Sequence, residues 1–137
     1  MGEVRATVKL TNASDLVLAR RNVMRAEDVR SVEADALVET GAVSFVIPSL
    51  IVERLGLGRA FKQVAQYADG RLEEVDVTDA VRVEVMSRQT EENGLVLGDE
   101  VIIGQTILEK LDLLVDCGRR RLLPNPAHPD QPVLKVK

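Results

Sequence analysis

The chain has 137 residues and a formal net charge of −4; 45% of it is hydrophobic, 29% charged and only 2% aromatic. That length is expected to form a single domain spanning residues 1–137, and an acidic balance with so few rings argues against phosphate-backbone binding and base-stacking platforms. No apolar run approaches the roughly 18 residues of a membrane span, the first residues lack a secretory leader's apolar stretch, and one cysteine and one histidine make neither a disulfide nor a metal cluster, so the expectation is a cytoplasmic protein with no cofactor, no metal, no nucleic acid and no membrane partner.

Val4, Ala6, Val8 and Leu10 alternate with Glu3, Arg5, Thr7 and Lys9, the period of a half-buried strand. Residues 11–15, Thr-Asn-Ala-Ser-Asp, carry turn chemistry. Residues 16–28 combine a short apolar run with a charged stretch that fits either a loop or a helical turn. Alternation returns at Val32, Ala34, Ala36 and Val38, followed by a Thr40-Gly41 turn and an apolar run from Val43 to Ile47. Pro48 and Ser49 predict a short helix through Leu55, with serine as its cap and Gly56 at its end. Val64 to Ala68 reads as extended, and Asp69-Gly70 as a hairpin turn.

The return strand places Val75, Val77, Val81, Val83 and Val85 on one parity. Asn93-Gly94 suggests another turn, with short strands at 95–97 and 101–103. Ile107, Leu108 and Leu111 fall at helical spacing. Leu113 to Val115 and Leu122-Leu123 flank a hairpin at 116–119, and Val133 to Lys137 reads as an edge strand. An apolar strand, a glycine turn and a short helix occur at 36–55 and are loosely echoed at 101–111. Many short strands with one or two short helices predict an all-β barrel or folded sheet.

The chemistry-bearing stretch is Ala36-Leu37-Val38-Glu39-Thr40-Gly41-Ala42, which puts a carboxylate, a hydroxyl and a glycine at the end of a strand. Taken alone this is a weak signal, and a strand ending in a polar turn accounts for it. The whole order of motifs is more specific. Leu37 to Ala42, then Phe45-Val46-Ile47-Pro48 and Val52 to Leu57, then Tyr67-Ala68-Asp69-Gly70-Arg71, then Val101-Ile102-Ile103-Gly104 with Gln105 to Leu111, then Leu111 to Pro126, resembles the retropepsin-like aspartic proteases, in particular their small single-domain bacterial and archaeal branch. One departure falls on the acid itself, because the family has Asp where this chain has Glu39.

That resemblance implies a closed acid-protease-type β-barrel with a flap hairpin, assembled as a two-fold homodimer in which each subunit supplies one acid. It implies an aspartic-type endopeptidase whose water is activated between two carboxyls sharing one proton. Glu39, Thr40 and Gly41 would be the catalytic set. Ala42 and the flap residues Tyr67, Ala68, Asp69 and Gly70 would hold an extended peptide or protein substrate. The alternative is a catalytically inactive peptide-binding relative on the same fold, and Glu39 is the feature that favours it. Among other conspicuous residues, His128 reads as a solvated tail residue, Cys117 as an incidental thiol, Arg119-Arg120-Arg121 as a solvated edge, Asp112 and Asp116 as turn residues, and Asp99-Glu100 as a loop.

Overall fold

The computed structural model describes residues 2–42 and 44–136. Among these residues nine strands run in chain order: β1 (Val4–Asn12), β2 (Ser31–Val38), β3 (Val46–Ile47), β4 (Arg59–Gln66), β5 (Leu72–Val85), β6 (Arg88–Val96), β7 (Val101–Ile103), β8 (Leu113–Asp116) and β9 (Arg121–Pro124). Three short α-helices join them, α1 (Ala13–Arg20), α2 (Ser49–Arg54) and α3 (Gln105–Leu111), one more than the sequence suggests. The main sheet runs β1-β2-β7-β3-β6-β5-β4, and an added β1–β5 pairing closes six of its strands into a barrel with β4 outside the ring. The hairpin β8–β9 forms a separate two-stranded sheet.

Alternation decides which side chains fill the barrel. Val8, Leu10, Val81, Val83 and Ile103 point inward and are fully buried. Ile107 and Leu111 of α3 and Leu55 beyond α2 plug the same core. Burying each such aliphatic side chain stabilises the fold by about 1.5–3 kcal/mol, so a core with one buried aromatic ring, Phe45, is sufficient. Of the β5 valines, Val81, Val83 and Val85 belong to the barrel core, whereas Val75 and Val77, ahead of a bulge between Val77 and Ala80, are buried outside it.

Four local expectations are corrected. Residues 13–20 form a helix because the Asn12 side chain accepts from the Asp15 N–H at 3.0 Å, capping it. Asp15, only 2% exposed, is gripped by the Arg30 guanidinium at 2.9 Å, while Asn12 Nδ2 reaches the Leu55 carbonyl at 2.8 Å. Pro48, not Ser49, occupies the cap position of α2, and no side chain among the described residues caps that helix. Asn93-Gly94 lies inside β6 instead of turning the chain. The turn is Met86-Ser87, both at positive φ (52° and 65°). Gly94 is required for another reason: a Cβ there would stand 2.6 Å from Ile47 Cγ2 and 3.3 Å from the Phe45 ring. Residues 133–136 form no strand; Lys137, and Val43 at the start of the earlier apolar run, lie outside the described residues.

Thr78 organises the bulge of β5. It is fully buried, its hydroxyl donates to the Asp79 carbonyl at 2.8 Å and accepts from the Gly94 N–H at 3.0 Å, and its own carbonyl accepts from Asn93 Nδ2. The same strand is therefore a hairpin arm with β4 before the bulge and a barrel strand with β1 and β6 after it.

Candidate active site

The acid loop hangs from the end of β2. That strand pairs in parallel with β7 (Leu37 with Ile102, Val38 with Ile103), and the ladder extends one step further through the Glu39 N–H to the Ile103 carbonyl at 3.0 Å. The loop then folds back: the Ala42 N–H donates to the Glu39 carbonyl at 3.1 Å and the Ala42 carbonyl accepts from the Gln105 N–H at 2.8 Å. Gly104 makes this possible, since a side chain there would collide with the Ala42 carbonyl and stand 2.8 Å from that of Ser44. The two loosely repeated strand-glycine-helix units of the sequence thus pack against each other, the second anchoring the loop of the first. The Glu39 side chain is exposed in the single chain, within 3.4 Å of the Gly41 N–H through Oε1.

Facing this loop is the β4–β5 hairpin, closed by the Tyr67 N–H to Arg71 carbonyl bond at 2.8 Å, with Gly70 at φ 87° and Asp69 accepting from the Arg71 N–H at 2.9 Å. The Arg71 guanidinium lies 4.4 Å from the centre of the Tyr67 ring, and the Tyr67 hydroxyl donates to Glu73 at 2.9 Å. The hydrogen bond to Glu73 and the nearby charge hold the Tyr67 hydroxyl above its ordinary pKa.

A cleft of about 870 Å³ separates loop and hairpin, and Glu39, Gly41, Ala42, Tyr67, Ala68 and Gly70 all line it. Thr40 and Asp69 do not. Thr40 borders a separate cavity of about 300 Å³ on the other side of Glu39, beside Val4, Val115 and the exposed thiol of Cys117, and Asp69 serves the hairpin turn. The sequence reading missed an extension of about 250 Å³ that continues the cleft past Ser44, Gln63 and Leu95 between Phe45 and Phe61, with Val77 and Ile107. All three aromatic residues of the chain therefore line this connected cleft. The signal that could have found it is the scarcity of aromatic residues itself.

Among the described residues no group of three or more His, Cys, Asp or Glu side chains is placed to hold a metal, and no helix is long and apolar enough to cross a membrane. His128 is not a free tail residue: Nδ1 lies 2.6 Å from Asp112 Oδ2. Asp112 does more than serve a turn, since its carboxylate also accepts from Asn125 Nδ2 and the Val133 N–H. Arg88, 6% exposed, donates to the carbonyls of Leu111, Asp112 and His128.

No protein-family model matches the sequence, and no curated protein matches it either. Among solved structures, the retroviral protease-like domain of Ddi1 from Leishmania major aligns over 98% of this chain and 92% of its own, with a TM-score of 0.56 and 14% identity. A retropepsin-like aspartic protease from Rickettsia conorii aligns over 85% of this chain and 89% of its own, with a TM-score of 0.44 and 16% identity. The first likeness assigns the fold: this chain is a closed retropepsin-like β-barrel, as the order of its motifs leads one to expect.

Proposed function

We propose that the protein is an aspartic-type endopeptidase acting on extended peptide segments as a homodimer, with one Glu39 from each subunit in the acid pair. The observation that supports this reading is the meeting of the Glu39 loop and the Tyr67–Gly70 hairpin tip across one cleft of a retropepsin-like barrel.

Two carboxyls brought within hydrogen-bond reach share one proton. The charged member removes a proton from a bound water, whose oxygen attacks the scissile carbonyl carbon. The neutral member gives its proton to the carbonyl oxygen, forming a gem-diol; the proton taken from water then passes to the amide nitrogen as the C–N bond breaks, and a gem-diol hydroxyl returns its proton to the other carboxylate, restoring one shared proton. Thr40, exposed and facing away from the cleft, is the residue we assign to brace the partner loop. Gly41 and Ala42 form the floor, and the Tyr67–Gly70 tip is the flap that closes over substrate and excludes water.

Glu39 is one methylene longer than aspartate. Catalytic groups need placement within about 0.5 Å, and a shift of about 1 Å can cost roughly a hundredfold in rate. Glu39 therefore favours weakened activity, and it also supports a second reading in which the cleft captures peptides without cutting them. Cleavage of an extended apolar peptide library by the wild type and by Glu39→Asp, alongside binding of a statine-type transition-state mimic, separates the two. A rise in cleavage in the Asp variant supports the enzyme. Tight binding of the mimic with no turnover by either form supports the binding module. Neither binding nor cleavage by a verified dimer overturns both.

A further inference from the structure

A second groove, of about 520 Å³, lies on the outer face of the barrel beneath α1. Register fixes its floor. Thr11 pairs with Ser31 on one side and Arg82 on the other, and in the adjacent row Lys9 pairs with Glu33 and Glu84, with Gln89 opposite Glu84. Leu16, Ala19 and Arg20 of α1 and the connection at Ala26 and Val29 make an apolar wall with one cation on it. Ser31 and Val38 stand at opposite ends of β2, so the groove is about 23 Å from the Glu39 loop at the usual rise per strand residue.

The polar groups of this groove are idle in a way that their neighbours are not. Nearby, Asp15 is paired with Arg30, and Asp28 with Arg25. Of the groove's own polar side chains only Arg82 has a protein partner among the described residues, Glu91 at 2.6 Å. Among the described residues Lys9, Arg20 and Glu84 form no ion pair, and the hydroxyls of Thr11 and Ser31 and the Gln89 amide make no hydrogen bond. Unengaged charges of both signs beside an apolar wall, in a concavity within the usual size range of ligand sites, complement a ligand that carries both signs and an apolar body. A simple anion fits less well, because Glu33 and Glu84 flank Lys9.

We propose that this groove binds a small zwitterion with an apolar side chain, the chemistry shared by free amino acids and short peptides. Arg20 and Lys9 hold its carboxylate, Glu84 its ammonium group, and Leu16, Ala19 and Val29 its side chain. The site is independent of the proposed acid pair, so its test does not read cleavage.

The test is a titration of the full chain, followed by backbone amide NMR shifts, with leucyl-leucine, with its acetylated and amidated form, and with free leucine to distinguish peptide from amino acid. The expected result is saturable shifts confined to residues 9–11, 16–20, 26–31 and 82–89 for at least one zwitterion. Affinity should fall by about tenfold or more when both charges are blocked, and similarly in Arg20→Gln and in Glu84→Gln. An Ala26→Phe variant, which fills the groove from its exposed wall, should abolish the shifts without changing either charge. Equal binding of the blocked peptide, shifts centred on the Glu39 cleft, or no saturable shift with either zwitterion would each overturn the proposal.

Discussion

Nδ1 of His128 stands 2.6 Å from the carboxylate of Asp112, at the left-handed residue that ends α3. With Asn125 and the Val133 N–H on the same carboxylate, this contact straps residues 125–133 to the body of the barrel. The Asn125 amide, followed by the Val133 N–H and His128, holds Asp112 below its ordinary pKa of 3.8, against the opposing effect of burial. A carboxylate whose pKa is depressed on folding contributes stability above its unfolded pKa and loses it as pH falls through the folded value. Protection of the Asn125, Ala127, His128 and Val133 amides, taken as their exchange relative to the intrinsic rate at each pH, should therefore be high at neutral pH and fall as the pH drops below 3.8. In Asp112→Asn that protection should be low throughout. High protection in that variant would refute the strap.

Arg88 serves the other side of the same strap. Arg88→Met leaves the Leu111 and His128 carbonyls without their donor and the Asp112 carbonyl with the Asn125 N–H alone, and losing charge-assisted bonds at a buried site should cost about 3 kcal/mol. Chemical denaturation read by circular dichroism measures it; a change under half that size would show that water replaces the guanidinium.

Gly94→Ala places a methyl group 2.6 Å from Ile47 and 3.3 Å from Phe45, both of them buried. Overpacking of this kind destabilises by about 1–3 kcal/mol. A melting temperature equal to wild type would mean that β3 shifts freely.

Phe61 is 53% exposed on the rim of the cleft extension. Phe61→Ala should leave the unfolding midpoint nearly unchanged. On the proposed activity it should raise KM for peptides with a large apolar residue by about tenfold, the worth of some 1.4 kcal/mol of lost contact, with kcat preserved. A fall in kcat at constant KM would place Phe61 in the chemistry instead of in recognition.

The strands that alternate cleanly, β1, β2 and the barrel half of β5, were legible because one face of each meets the core and the other meets water. The acid loop was legible as a motif, and its neighbours in the cleft followed from the order of motifs. α1 was not, because only Ala13 and Asp15 of its residues are buried and its stability rests on a distant arginine, Arg30, that no local pattern announces. Met86-Ser87 was missed because neither residue type usually adopts positive φ, whereas Asn93-Gly94 carried the signal of a turn and in fact makes room for Ile47. His128 looked idle among prolines because its partner, Asp112, lies 16 residues earlier on another element.

The exposed loop at the end of β2 gives each chain a single Glu39, and the proposed chemistry needs two. Its output then follows the square of the chain concentration wherever dimers are scarce, and turns proportional once they dominate. Dilution alone would silence such an enzyme without any inhibitor, and local crowding of chains would switch it on. Abundance and placement within the cell would in that case govern its activity as directly as any residue in the cleft.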